Sequence, residues 1–185
     1  MLGALLTSNG LYISTKAVIA QILLDKAWNS TLKSGQPHRP WAWMDTVPVA
    51  KIDVPATKSS AIVLDTISGQ ALAFGPAHLP NSPLPGDPGI SVIAAHKNTH
   101  FAFLKTLRSG DSISIQRADG QTYEFTMTHA DIVHKDRSGI PNTQLGANTA
   151  QIALVTCYPF DAVSFGGPMR YVVYAKENSQ ISTKA

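Results

Sequence analysis

A chain of 185 residues has the length of one domain and is long enough to bury a sizeable core, so no second domain is required. Its 44% hydrophobic content, with 12 prolines and 13 glycines, excludes a polar disordered chain and favours short strands and turns over a helical bundle. The net charge is +3, but Lys97, Lys105, Arg108, Arg117, Lys135 and Arg137 are scattered with no contiguous basic cluster, which argues against a nucleic-acid partner and is compatible with work beside an anionic bilayer.

From Met1 to Leu24 the only charged side chain is Lys16, and the apolar block from Ala17 to Leu24 is closed by Asp25-Lys26. At about 100° per residue, Asp25 and Lys26 fall among Val18, Ile19 and Ile22, so they mark the end of an apolar helix and not a polar face. Residues 1–27 are therefore expected to be a hydrophobic helix acting as an uncleaved signal-anchor, since no A-x-A-like cleavage site follows Leu24. A full span is reached only by including Thr7-Ser8-Asn9-Gly10 and Lys16, and the alternative is a helix packed on the domain surface. Residues 28–45 read as a linker around the turn-rich Gly35–Pro40, with Trp28, Trp41 and Trp43 either interfacial anchors or packed back on the domain.

Residues 46–176 carry the β signal, and residues 177–185 read as a C-terminal tail. The strands expected in order are Val47–Val54, Ala61–Leu64, Ala71–Phe74, Ile90–Ala95, Ser112–Arg117, Tyr123–Val133, Ile152–Thr156 and Tyr171–Ala175, joined by turns at Ser68-Gly69, Pro85–Gly89 and Asp119-Gly120. Eight short strands suggest a closed, mostly β barrel with short helices. One or two helical turns are expected over Phe101–Leu107, capped by Asn98 or Thr99. The polar stretch from His134 to Ala150 reads as a long loop, a length that is uncommon unless functional.

Cys157 is the only cysteine, which excludes internal disulfides and leaves a free thiol where an apolar strand stops at Tyr158-Pro159. His96 ends the run Ile90–Ala95, and Arg170 opens the last strand. A thiolate attacks acyl carbons, a histidine stabilises that thiolate and protonates a leaving amine, and an arginine holds a developing oxyanion. The competing reading is a barrel-shaped binding module whose lone cysteine is inert core, because free cysteine packs like a small hydrophobe.

Other chemistries fit less well. His96 and His100 have the spacing of two zinc ligands on a helix, but Lys97 stands where the general-base glutamate would be and no third ligand is near, so neither metal nor cofactor is expected. The C-x5-R spacing of cysteine phosphatases would need arginine at position 163, which is Val163. Papain-like proteases place cysteine before histidine, the reverse of the order here, and the S-H-G-C-like signature of L,D-transpeptidases is missing.

The stretches Leu154-Val155-Thr156-Cys157, Ala94-Ala95-His96-Lys97 and Phe101–Asp111 resemble the sortase family, with its TLxTC cysteine, AGHR-like histidine and following F-x-x-L-x-x-L-x-x-G-D run. The resemblance covers roughly residues 46 to 175 and departs at Ala95, Lys97 and Ala153, none of which is a reacting group. His100–Leu104 and Val155–Phe160 look most like the single sortases of Gram-negative, marine proteobacterial bacteria. The resemblance implies a sortase-like barrel and a cysteine transpeptidase with Cys157 as nucleophile, His96 as acid/base and Arg170 at the oxyanion or aligning the substrate. It further implies a substrate protein with a C-terminal LPxTG-like sorting motif, an amine acceptor of unspecified identity, and an inner-membrane protein with a periplasmic catalytic domain. Hydrolysis without transfer is the nearest alternative, and calcium dependence is left open, with only Asp131 and Asp136 near the long loop.

Overall fold

The computed structural model describes residues 2–137, 149–162, 166–178 and 183–184. Its elements are helix α1 (Leu2–Ser34), β1 (Pro48–Val54), β2 (Ser59–Leu64), α2 (Gly69–Phe74), β3 (Ala77–His78), β4 (Gly89–Ala94), β5 (Ser112–Arg117), β6 (Gln121–His134), β7 (Ala150–Tyr158), β8 (Met169–Glu177) and β9 (Thr183–Lys184). The strands run in the order β5-β1-β2-β3-β4-β7-β8-β6, and β5 also pairs with β6, which closes an eight-stranded barrel and leaves β9 as an addition to β6.

Alternation builds the barrel wall. In β1 the residues Ala50, Ile52 and Val54 are buried while Lys51 and Asp53 face outward and pair at 3.8 Å. Those inward groups join Ile93, Ile113, Ile115, Phe125, Ile152, Leu154 and Val173 in one core. Phe101, Leu104 and Leu107 belong to the same core, and the expected helical turn is the 3-10 turn Ala102–Lys105. Their three-residue spacing matches three residues per turn, so the F-x-x-L-x-x-L run is a plug placing one face of the turn in the barrel. Phe101 occupies the cap position with no side-chain hydrogen bond, so neither Asn98 nor Thr99 caps the turn.

Two expectations are corrected. Ala71–Phe74 is helical because the Ser68 hydroxyl accepts from the Ala71 N–H at 3.0 Å, a cap that starts α2 and outweighs a short apolar run. The missing eighth strand is β3, whose two residues pair Ala77 with Leu64 in parallel and with Ala94 in antiparallel sense, bridging β2 to β4. Within the expected tail, Thr183 and Lys184 pair with Thr122 and Gln121.

The N-terminal helix continues through the first part of the expected linker, to Ser34, and ends where Gly35 takes φ +68 and its N–H reaches the Thr31 carbonyl. Leu24, Ala27, Trp28 and Thr31 are buried, and Leu24 packs with Met44, Leu64, Ala71 and Ala77. Trp41 packs edge-on to Phe74 at 5.0 Å, whereas Trp43 is 79% exposed. Among the described residues, no helix is long and apolar enough to cross a membrane.

Candidate active site

Strand pairing assembles the site. β4 and β7 run parallel with Ala94 beside Val155; the Ala95 N–H then reaches the Val155 carbonyl at 3.1 Å, and the buried Thr156 hydroxyl donates to the Ala95 carbonyl at 2.7 Å. One further step along each chain brings His96 and Cys157 to the same end of the barrel. β7 and β8 are antiparallel with Cys157 directly opposite Arg170, the relation in which side chains of one face lie closest. The three predicted residues therefore lie at or just beyond the ends of adjoining strands despite their separation in sequence.

Cys157 is a free, half-buried thiol, and His96 is exposed. Both line a cavity of about 420 Å³ with Lys97, Asn98, Thr99 and Gly166. The Arg170 guanidinium is held by its own approach to the strand, Nη1 donating to the carbonyls of Gly167 at 2.6 Å and Met169 at 2.9 Å. Burial, followed by repulsion from His96, holds the His100 imidazole below its ordinary value, which favours a neutral neighbour beside His96. Among the described residues no group of three His, Cys, Asp or Glu side chains gathers.

The outer face of these strands holds a second apolar cluster. Val92, Ala153 and Val172 are buried there with Ile90, Val133, Val155 and Tyr174 packed against them. Val155 sits opposite Val172, one same-face step from the Cys157–Arg170 pair, so an apolar strip leads away from the thiol. The sequence signal for it is the apolar runs Ile90–Ala95, interrupted only by Ser91, and Ile152–Val155, which fit strands buried on both faces. Tyr158, Phe160 and Tyr171 form an aromatic group at the same barrel end, with Phe160 and Tyr171 at 5.2 Å. Of the expected loop from His134 to Ala150, Lys135–Arg137 forms a 3-10 turn, and residues 138–148 lie outside the described ones. Asp131 approaches His129 at 3.7 Å, and Asp136 pairs with Lys135 at 3.1 Å.

The structure is similar to solved sortases. Sortase A from Corynebacterium diphtheriae superposes with a TM-score of 0.65 at 25% identity, over 75% of this chain and 64% of that one, so slightly less than two thirds of the relative is spanned. Sortase C-1 from Actinomyces oris gives 0.63 at 24% identity, over 74% of this chain and 77% of that one. A sortase D5 transpeptidase from Clostridium perfringens gives 0.64 at 19% identity, over 84% and 89%, and these last two speak for the fold alone. No curated relative matches the chain. The sortase domain model matches residues 52–178, the whole span that carries Cys157, His96 and Arg170, and the chain belongs to the sortase family.

Proposed function

We propose that this chain cleaves a C-terminal LPxTG-like sorting motif through a thioacyl-enzyme and passes the acyl group to an amine. The observation that carries this reading is the pairing of Cys157 opposite Arg170, together with a cavity that Cys157 shares with His96 at the end of β4. The Cys157 thiolate adds to the backbone carbonyl carbon at the scissile bond. Arg170 exchanges its loop carbonyls for the oxyanion or the substrate backbone, and losing one such donor costs about 10²–10³-fold in kcat. As the tetrahedral intermediate collapses, the C–N bond breaks and the departing amine takes a proton from the His96 imidazolium. The incoming amine then attacks the thioester, giving its proton to His96, and the thiolate is released. His100–Leu104 and Val155–Phe160 support a Gram-negative lineage for this sortase.

The test is incubation of the protein with a quenched LPxTG-type peptide library, with and without an amine, following Cys157 by intact mass. An adduct that is lost in Cys157→Ala and His96→Ala, and is converted to ligated product by amine, is the expected result. Hydrolysed product at any amine concentration would reduce the protein to a peptidase. No adduct across the library would overturn the reading.

A further inference from the structure

Among the described residues Lys97 is the one lysine, arginine or carboxylate that is buried, at 7% exposure. Removing an ammonium from water costs several kcal/mol unless it is well satisfied, and no carboxylate among the described residues pairs with it. Its Nζ instead donates to two backbone carbonyls, those of Pro159 and Ala162, each at 2.7 Å. Such charge-assisted bonds are roughly twice as strong as neutral ones.

The location gives these bonds a consequence for the chemistry. Lys97 follows His96 directly, and Pro159 lies two residues beyond Cys157. Thr156 ties β7 to the Ala95 carbonyl just before the reacting pair, and Lys97 ties the two chains together just after it. Without that second tie, the chain leaving Cys157 would be fastened to the chain leaving His96 on one side only. An apolar side chain at position 97 would fill the space but grip neither carbonyl.

We infer that Lys97 is a positioning residue for the reaction of Cys157: by gripping the carbonyls of Pro159 and Ala162 it holds the thiol and the His96 imidazole together. The inference rests on the Cys157–His96 chemistry proposed above, and it can be tested without a substrate. Because Cys157 is the only cysteine, iodoacetamide reads one thiol, and its rate reports how much thiolate the imidazolium sustains. The rate is compared in wild type, His96→Ala, Lys97→Met and the double variant, each with its Tm.

Lys97→Met is expected to slow alkylation by about tenfold at a Tm that stays well above the assay temperature. The double variant is expected to be no slower than His96→Ala alone, because residues acting as one unit are not additive. Lys97→Arg, which keeps the donors, restores most of the rate. Should Lys97→Met not fold, Lys97→Gln, which keeps a weaker donor, gives the same comparison with a smaller loss. An unchanged rate in Lys97→Met, losses that multiply in the double variant, or no effect of His96→Ala would each overturn the inference. A missing thioacyl adduct together with a non-additive alkylation cycle would instead overturn the transpeptidase reading and leave Lys97 in its role.

Discussion

Thr156→Val isolates the bond that joins the segments leading to His96 and Cys157. Thr156 is 2% exposed, and its hydroxyl donates to the Ala95 carbonyl at 2.7 Å across the β4–β7 seam. Valine keeps the shape and removes the donor. The loss is one hydrogen bond, worth about 1 kcal/mol, plus the cost of leaving a buried carbonyl less satisfied, about 1–3 kcal/mol, partly relieved by relaxation. A net destabilisation of about 2 kcal/mol is expected, which for a domain of this size lowers Tm by about 4–8 °C. Urea denaturation measures it as a fall in midpoint at constant slope. Thr156→Ser is the control: it keeps the donor and gives up one methyl, about 0.8 kcal/mol of burial. A valine variant within about 0.5 kcal/mol of wild type, alongside a larger loss for serine, would mean that methyl packing and not the hydroxyl holds the seam, refuting the reasoning.

Three further outcomes follow from particular contacts. Gly86 has φ +94 in the Leu84–Asp87 turn, and a Cβ there would collide with the Tyr123 ring, whereas Gly110 has the same φ +94 with nothing nearby. Gly86→Ala should therefore destabilise by about 2 kcal/mol more than Gly110→Ala in matched thermal melts, and equal losses would show that backbone strain alone matters. Burial is the largest influence on His78 and holds its imidazole below its ordinary value of 6.5, against the opposing pulls of the Pro83 carbonyl and Asp65. The unfolded chain then binds the proton more readily, so the stability from neutral His78 is present above 6.5 and is lost as pH falls from there toward the folded value. Urea midpoints at about pH 7.5 and 5.5 should drop in wild type, and a drop of the same size in His78→Gln would assign it to other groups. Arg117 pairs with Asp87 at 2.8 Å and Asp119 at 3.2 Å beneath the Tyr123 ring. Arg117→Ala should cost about 1–2 kcal/mol in chemical denaturation, and Arg117→Lys should recover less than half of it because a point charge does not reproduce the forked geometry.

Much of the candidate site was legible because each residue proposed to react sits beside a recognisable strand boundary. Cys157 follows the apolar run from Ile152, His96 follows the run from Ile90, and Arg170 precedes the run from Tyr171. Alternation recovered β1, β5 and most of β6, where one face meets water. It failed at Ala71–Phe74, where a single capping hydroxyl outweighed four apolar residues. It also failed at β3, since two residues carry no period and are a strand only because β2 and β4 lie on either side. Lys97 gave no sign of its role beyond standing where an arginine is usual, because its partners are carbonyls 62 and 65 positions away.

By itself, then, the sequence determined a mostly β fold, the strand ends that present Cys157, His96 and Arg170, and the family to which the chain belongs. These are properties of neighbouring residues: period, breakers, and a lone cysteine at a turn. The tertiary structure alone decided that β4 lies parallel to β7, that Cys157 faces Arg170, that Trp28 is buried and Trp43 exposed, and that a buried ammonium joins the two chains leaving His96 and Cys157. Strand pairing and burial depend on which distant segments share a surface. That choice is made by the cooperative closing of the barrel and is written in no local stretch of the chain.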